Sequence, residues 1–349
     1  MLSRVADSIY WLNRYIERAE NVARFLEVNV NLMLDVPMGI EQQWQPLVTT
    51  TGDRAFFEEH YGEATAENVI QFLTFDQNYP NSIFSCFQSA RENARSVREI
   101  ISSAMWSQIN ASHQMVSEAS KNLSVSDLSD FLEQVKQASH AFVGITDATL
   151  TRNEAWHFGR LGRFLERADK TSRILDVKYY VLLPSATDVG TLLDELGWMA
   201  LLKSASAYEM YRKRSKQHRI TPAGVSEFLI LDAEFPRSIQ FCLWQAEQSL
   251  HRITGTPLGS WHIPIERAVG RLRSELEYLT IEEIIERGIH EFLDQLQQQM
   301  NEVNTSIYET FLALPPLEAA TQSQNQGQSQ SQSQSQSQTV ATQHSGSLV

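Results

Sequence analysis

Two segments of this chain, Arg14–Val28 (RYIERAENVARFLEV) and Arg163–Val177 (RFLERADKTSRILDV), match each other at an offset of 149 residues. Seven of the fifteen positions are identical, and three of those seven are arginines. Around the first segment, apolar residues recur in alternating steps of four and three from Val5 to Met33. This spacing predicts one long amphipathic helix that ends before Pro37.

Other segments repeat in the same order along the chain. Residues 69–90 match 225–246 at an offset of 156, with nine identities in 22 positions, and a weaker match pairs 131–134 with 292–295. Because the order is kept, we predict two tandem copies of one unit related by a pseudo-twofold axis. The first repeat is expected over 1–152 and the second over 153–314, with the two halves sharing one core.

Composition favours helices throughout both repeats. Only 15 Gly and 10 Pro interrupt the 349 residues. Further helical patterns cover approximately 80–122, 126–151, 154–183, 189–217, 236–254 and 264–314. The apolar run 228–231 is either a short strand or the end of a helix. The predicted fold class is therefore an all-α helical bundle, followed by a disordered Gln/Ser-rich tail over 315–349.

Charge and cysteine content exclude several classes of protein. The chain has 29 Lys and Arg against 42 Asp and Glu, a net charge of −13, which argues against a nucleic-acid-binding protein. No apolar window is long enough for a membrane helix, and the N-terminus lacks a signal-peptide pattern. Cys86 and Cys242 occupy equivalent positions in apolar settings, so we expect two buried thiols in a cytoplasmic protein.

The charged residues of the two matching helices form the main candidate site. The candidate binding residues are Arg14, Arg18, Arg24, Arg163, Arg167 and Arg173, and the candidate acid or base residues are Glu17 and Glu166. If the two helices face each other, two glutamates and six arginines come together, which leaves a surplus of four positive charges. Such a cluster suits a carboxylate or phosphate ligand.

A buried ion-pair network is the alternative interpretation of these charges. Spacings of three and four would pair Arg14 with Glu17 and Glu20 with Arg24 within one helix, and the second copy repeats the pattern. Solvated pairs contribute only about 0–1 kcal/mol each, so burial or a ligand explains their retention in both copies better. A binding site, a catalytic site with Glu17 or Glu166 as acid or base, and a structural network all remain open.

Three residues one to two turns before Arg163 extend the candidate site. Trp156, His157 and Arg160 could line a pocket that is specific to the second copy. Glu154 and His157 form one Glu-x-x-His motif, whereas a helical di-iron site needs two such motifs and two further glutamates. We therefore predict no metal and no cofactor.

Three motifs make the chain resemble the bacterial alpha-E domain family, a helical family of unknown function. They are Tyr10–Arg24 (YWLNRYIERAENVAR), Trp156 followed by Gly162–Arg167 (GRFLER), and Phe235–Ile239 (FPRSI) with Cys242. The resemblance covers about residues 1–314. Arg237 of the last motif is replaced by Asn81 in the first half, so a role for this candidate binding residue is restricted to one half.

The resemblance implies an all-helical protein associated with a circularly permuted ATP-grasp ligase and often with a transglutaminase-like protein. The expected function is an accessory or substrate-binding component of a peptide or amide ligase system, which binds an acidic peptide or small anion through the paired Glu-Arg helices. The alternatives are an enzyme of the same pathway and a purely structural scaffold. Neither nucleic acid nor a membrane is an expected partner.

Overall fold

The computed structural model describes residues 1–35, 44–122, 127–181, 192–214 and 220–313, and within these ranges it contains helices and no strand. The helices are α1 (Ser3–Asp35), α2 (Gln45–Thr51), α3 (Arg54–Tyr61), α4 (Ala66–Thr74), α5 (Ile83–Ser96), α6 (Ser103–Asn122), α7 (Leu128–Thr149), α8 (Glu154–Val181), α9 (Leu192–Ser204), α10 (Tyr208–Arg214), α11 (Pro222–Leu231), α12 (Ile239–Thr254), α13 (Pro264–Tyr278), α14 (Ile281–Arg287), α15 (Ile289–Ile307) and a π-helical turn (Tyr308–Leu312). The predicted all-α class is confirmed. The tail over 315–349 lies outside the described residues.

Long helices were predicted well where their apolar spacing is regular, and wrongly where a turn lacks a sequence signal. The helix before Pro37 is α1, but the pattern over 80–122 breaks into α5 and α6. The intervening turn contains neither Gly nor Pro, and it buries Val97 and Ile101 in the core. Tertiary packing therefore ends α5, and local preference does not.

Two other predicted helices are also divided. The pattern over 189–217 breaks after Ser204, where Ser206 adopts a positive φ of 49°. The pattern over 264–314 breaks at Thr280, which caps α14 by accepting a hydrogen bond from the Glu283 backbone N–H, and again at Gly288 with φ 92°. Since Thr followed three residues later by Glu is a capping-box signature, this start was readable in the sequence.

Four short helices were not predicted. α2, α3 and α4 lie in the first half, and each has nine residues or fewer, too few for a clear period. The fourth is α11, whose last residues are the apolar run 228–231. That run is thus the end of a helix, and three of its four residues, Phe228, Leu229 and Ile230, are buried.

Equivalent turns start α5 and α12 in the two halves. Ser82 and Ser238 cap these helices, and their hydroxyls donate to the backbone carbonyl oxygens of Asp76 and Asp232 respectively. The Asp76 and Asp232 side chains accept backbone N–H groups within the same turns. The repeated Asp and Ser residues therefore serve turn formation and capping.

The helices α1 and α8 form the centre of the bundle and pack against each other. α1 also packs on α5 and α7 from its own half, and α8 packs on α12 and α15. Further contacts cross between the halves, since α2 packs on α8, and α9 and the π-helical turn pack on α1. The buried apolar side chains of both halves belong to one continuous cluster. The pseudo-twofold relation and the repeat boundaries stay predictions.

Two glycines of α8 allow the close approach of α1. A Cβ atom on Gly162 would lie 2.6 Å from the backbone oxygen of Tyr10, and one on Gly159 would lie 2.5 Å from the Asn13 side-chain nitrogen. Both distances are far shorter than a normal van der Waals contact. The spacing of the two central helices therefore depends on the absence of a side chain at these positions.

The substitution Gly162→Ala is expected to lower the free energy of unfolding by about 1–3 kcal/mol, because the new methyl group overpacks the contact with the α1 backbone. Gly144→Ala on α7 is the matched control, since a Cβ atom there meets nothing within 4 Å. That control is expected to be neutral or to stabilise by up to about 1 kcal/mol through helix propensity. Chemical denaturation of both variants measures the difference, and equal effects would contradict the close-approach argument.

Among the helices that the structure describes, none is long and apolar enough to cross a membrane.

Candidate functional site

The charged faces of α1 and α8 meet in the core, and each glutamate is held by arginines of the opposite helix. Glu166 accepts a hydrogen bond from Arg18 Nε at 2.6 Å and another from Arg14 Nε at 2.8 Å. In return, Glu17 accepts bonds from Arg167 Nε at 2.8 Å and Arg167 Nη2 at 2.7 Å. Arg18 and Arg167 are equivalent in the two copies, so the exchange is reciprocal.

This arrangement corrects part of the predicted pairing. Arg14 was expected to pair with Glu17 of its own helix, but it pairs with Glu166 across the interface. The other predicted pair is confirmed in both copies, since Arg24 contacts Glu20 at 2.7 Å and Arg173 contacts Asp169 at 3.0 Å. A spacing of three allows an intrahelical pair but does not exclude a partner on a neighbouring helix.

Both glutamates are buried and ionised. Glu17 is 1% exposed and Glu166 is 0% exposed. Burial alone would raise the pKa of Glu17, but Arg167 and Arg237 lower it below its ordinary value. Burial likewise opposes the ionisation of Glu166, yet the charges of Arg18 and Arg14 hold its pKa well below its ordinary value. At neutral pH both side chains are therefore paired carboxylates without access to solvent.

Glu20 extends the cluster toward α7 and α12. It accepts a hydrogen bond from Arg24 Nη2 at 2.7 Å and one from Ser139 Oγ at 2.6 Å. Arg237 also donates to Glu20, and its Nη1 lies 3.2 Å from Glu17 Oε1. Arg237, which has no arginine equivalent in the first half, therefore contacts two carboxylates of α1.

The equivalent acidic residue of α8 is Asp169. Besides Arg173, its carboxylate has Lys170 Nζ at 3.2 Å, and the same Lys170 Nζ lies 3.7 Å from Glu166. Burial opposes ionisation of Asp169, but Lys170 and Arg173 lower its pKa below the ordinary value. Asp169 of α8 thus pairs with a neighbouring lysine, whereas Glu20 of α1 pairs with Arg237.

The last arginine of each helix contacts a turn from the opposite half. Arg24 donates a hydrogen bond to Ser206 Oγ in the turn between α9 and α10. Arg173 reaches the turn between α2 and α3, where a Cβ atom on Gly52 would lie 3.3 Å from its Nη1. Gly52 has φ 81°, a conformation that also favours glycine. These contacts tie each half of the chain to the other.

Asn81 occupies the place that Arg237 has in the second half. Its Oδ1 accepts a hydrogen bond from Arg18 Nη1, and its Nδ2 donates to Asp53 Oδ2 at 3.2 Å. The replacement therefore exchanges a charged donor for a neutral bridge between Arg18 and Asp53. The two halves of the cluster differ mainly at this position.

Among the residues that the structure describes, Arg163 has no carboxylate within ion-pair distance, unlike its equivalent Arg14. It is 8% exposed, and its Nε has no hydrogen-bond partner in the structure. Burial, together with the charge of Arg167, lowers the pKa of Arg163 to about 10. The side chain is therefore still a cation at neutral pH, in a position that offers it little water.

A small cleft opens beside Arg163. Its walls come from α1, α6 and α7 of the first half and from α8, so the cleft is not specific to the second copy, and they include Trp156 and Arg160 together with Asn13 and Asp147. The cleft measures about 290 Å³ including its open mouth. Asn13 and Asp147 were missed because they lie on other helices, and no sequence spacing relates them to Arg163.

His157 lies next to the cleft without lining it. Its ring contacts the Trp156 ring edge to face at 4.9 Å between centroids. Burial and the charge of Arg160 lower the pKa of His157, so it is neutral at pH 7. In the described part of the chain no group of three metal-binding side chains comes together, so the Glu-x-x-His motif has no further ligands there.

The two cysteines are buried, as predicted. Cys86 and Cys242 are both 0% exposed, and burial raises the pKa of each thiol to about 12. Since the thiolate is the reactive form, neither residue has the properties of a nucleophile.

The comparisons with known proteins agree with this description. A family model described as a predicted alpha-helical domain with a conserved ER motif matches residues 1–312. Glu17-Arg18 and Glu166-Arg167 are the ER pairs that form the buried cluster. An uncharacterized protein of Mycobacterium bovis and one of Mycobacterium tuberculosis are each 22% identical to this chain over 338 residues.

These relatives are much longer than the chain. The aligned region covers 91% of this chain but only 37% of each mycobacterial protein, so the chain spans a little more than a third of their length. No solved structure matches the chain.

Proposed function

Since this chain belongs to the Alpha-E domain family, whose mark is a conserved ER motif, we propose that it is an accessory, substrate-binding component of an ATP-grasp-type peptide or amide ligase system. The ER helices lock its two halves together, and the positive charge left in them binds an acidic group of a peptide. Its partners in the cytoplasm are a circularly permuted ATP-grasp ligase and a transglutaminase-like protein.

The charge balance of the buried cluster carries this proposal. Four carboxylates face eight cations: the carboxylates are Glu17, Glu20, Glu166 and Asp169, and the cations are Arg14, Arg18, Arg24, Arg163, Arg167, Lys170, Arg173 and Arg237. The surplus of four positive charges stands in a chain whose net charge is −13. A local cationic excess in an acidic protein favours binding of an anion.

The state of the glutamates favours binding over acid-base catalysis. A general base must reach the proton that it removes, and its pKa should lie near the operating pH. Glu17 and Glu166 are instead enclosed by guanidinium groups, and their pKa values are lowered. No feature of the described residues favours the enzyme alternative over an accessory role.

Co-purification with a ligase tests the proposal. The tagged full-length chain is expressed with a circularly permuted ATP-grasp ligase of the same organism, and ATP consumption is measured with an acidic peptide. We expect the ligase to co-elute and its KM for the peptide to fall about tenfold when the chain is present. A second acidic helical protein of similar net charge controls for nonspecific association.

Two results would contradict the proposal. Absence of co-elution together with an unchanged KM would exclude an accessory role. Formation of an amide product by the chain without the ligase would support the enzyme alternative instead.

A further inference from the structure

Within the described ranges, Arg163 lacks the carboxylate contact that its equivalent Arg14 makes. In the first copy, Arg14 bonds to Glu166 through Nε at 2.8 Å. The equivalent glutamate for Arg163 is Glu17, but its Oε1 already accepts bonds from Arg167 at 2.8 Å and Arg237 at 3.2 Å. Glu17 is thus already paired with two other arginines, and Arg163 Nε has no hydrogen-bond acceptor among the described residues.

An arginine that is buried without an anion is unusual. Buried polar groups are nearly always hydrogen-bonded, and a buried charge without a partner is unfavourable. Arg163 is more than nine-tenths buried, and it lies in the wall of the cleft between α1, α7 and α8. A carboxylate that enters this cleft would supply the missing acceptors.

The size of the cleft restricts what can enter. Its enclosed part has room for only about one water-sized group, although the mouth is open. A whole metabolite does not fit, whereas one carboxylate oxygen is about the size of a water molecule and does, with the rest of the carboxylate at the mouth. Ligand atoms beyond that carboxylate would lie at the mouth beside Trp156, whose Nε1 is 3.3 Å from Asp147 Oδ1.

The charges around the cleft select a monoanion. Arg160 and Arg163 contribute two positive charges, and Asp147 contributes one negative charge. Arg160 is held in place by α12, since its Nη1 donates to Ser249 Oγ at 3.1 Å. The net charge of +1 complements a carboxylate, while Asp147 repels the second charge of a phosphate.

We propose that the cleft beside Arg163 is a carboxylate-binding subsite, which receives one side-chain or free carboxylate with Arg163 as its principal donor. This inference rests on the proposed function only in treating the chain as a binding protein. It adds the place of binding, the monoanionic class of the ligand, and a discriminating role for Asp147.

Calorimetric titration of the full-length chain tests the subsite. The probes are a tri-glutamate peptide with acetylated and amidated ends, sodium acetate and inorganic phosphate. We expect saturable binding of the peptide, weaker competing binding of acetate, and the weakest binding of phosphate. Arg163→Gln is expected to reduce peptide affinity at least tenfold, and Arg273→Gln, which removes a cation paired with Glu247 on α12, is the matched control without effect.

A second variant tests the subsite even if Arg163→Gln does not fold. Asp147 is exposed and lies at the cleft, so Asp147→Asn is expected to keep the fold. It should tighten peptide binding about threefold and tighten phosphate binding by more, which a merely structural role for Asp147 would not do. Unchanged binding in both variants, or phosphate binding tighter than acetate binding in the unaltered chain, would overturn the proposal.

The results of the titration distinguish side-chain carboxylates from free carboxylates as ligands. They also distinguish failure of the subsite from failure of the ligase partnership. Peptide binding that acetate cannot match assigns the subsite to acidic side chains, and equal affinities assign it to free carboxylates. Arg163-dependent peptide binding without ligase co-elution would retain the subsite and reject the ligase partnership. Ligase co-elution without peptide or acetate binding would reject the subsite alone.

Discussion

Replacing Glu166 by glutamine is expected to lower the free energy of unfolding by about 3–5 kcal/mol, because it removes one member of a buried ion-pair network. The variant keeps the shape of the side chain but leaves the guanidinium groups of Arg14 and Arg18 without their anion. Both arginines are largely buried, so water cannot replace the lost charge. Glu17→Gln is expected to have an effect of similar size on Arg167 and Arg237.

Glu58→Gln on α3 is the matched control for this prediction. Glu58 also pairs with an arginine, but the side chains of Glu58 and Arg54 are 47% and 61% exposed. Its loss is expected to change stability by about 0–1 kcal/mol. Urea denaturation of both variants measures the comparison. A loss below about 1 kcal/mol for Glu166→Gln would mean that the network adds little to stability over neutral packing.

The two halves of the chain, expressed separately as 1–152 and 153–313, are expected not to fold. In the first half alone, Glu17 would lose its arginine partners on α8 and in the turn before α12, and the apolar face of α1 would lose α8 and α9. In the second half alone, Glu166 would lose Arg14 and Arg18. Cutting the continuous core in two exposes large apolar surfaces. Neither half alone then buries enough apolar surface to fold.

Circular dichroism and denaturant titration of each half measure this prediction, with the chain 1–313 as the control. The isolated halves should show reduced helicity and no cooperative transition, and an equimolar mixture should recover both. A cooperative unfolding transition in either half alone would show that the repeats are independent domains, in contradiction to the crossed contacts of α2 and α9.

The fold class and the main helices were predictable because they depend on local spacing. The regular spacing of apolar residues from Val5 to Met33 predicts a helix whatever its neighbours are, and these residues lie in α1. The turn after Ser96 was not predictable, because the residues that form it have no special backbone preference. Their burial against neighbouring helices ends α5, and burial is a property of the whole fold.

The glutamates and arginines of the cluster were predictable from the sequence, but their pairing between the two helices was not. Repetition singled out Glu17, Glu166 and their arginines, and the structure brings them together at the α1–α8 interface. The choice of partner depends on the relative placement of two helices 149 residues apart, which a spacing of three or four within one helix does not encode. The missing partner of Arg163 was therefore not visible in the repeat.

The sequence by itself determined that this protein is helical, that segments of its two halves match in the same order, and that Glu and Arg recur at matching positions of α1 and α8. These features follow from side-chain chemistry and from periodicity along one chain. Only the tertiary structure decided that each glutamate pairs with arginines of the opposite helix, and that Arg163 Nε has no acceptor among the described residues. Pairing among buried charges depends on distances between elements, and packing alone sets those distances.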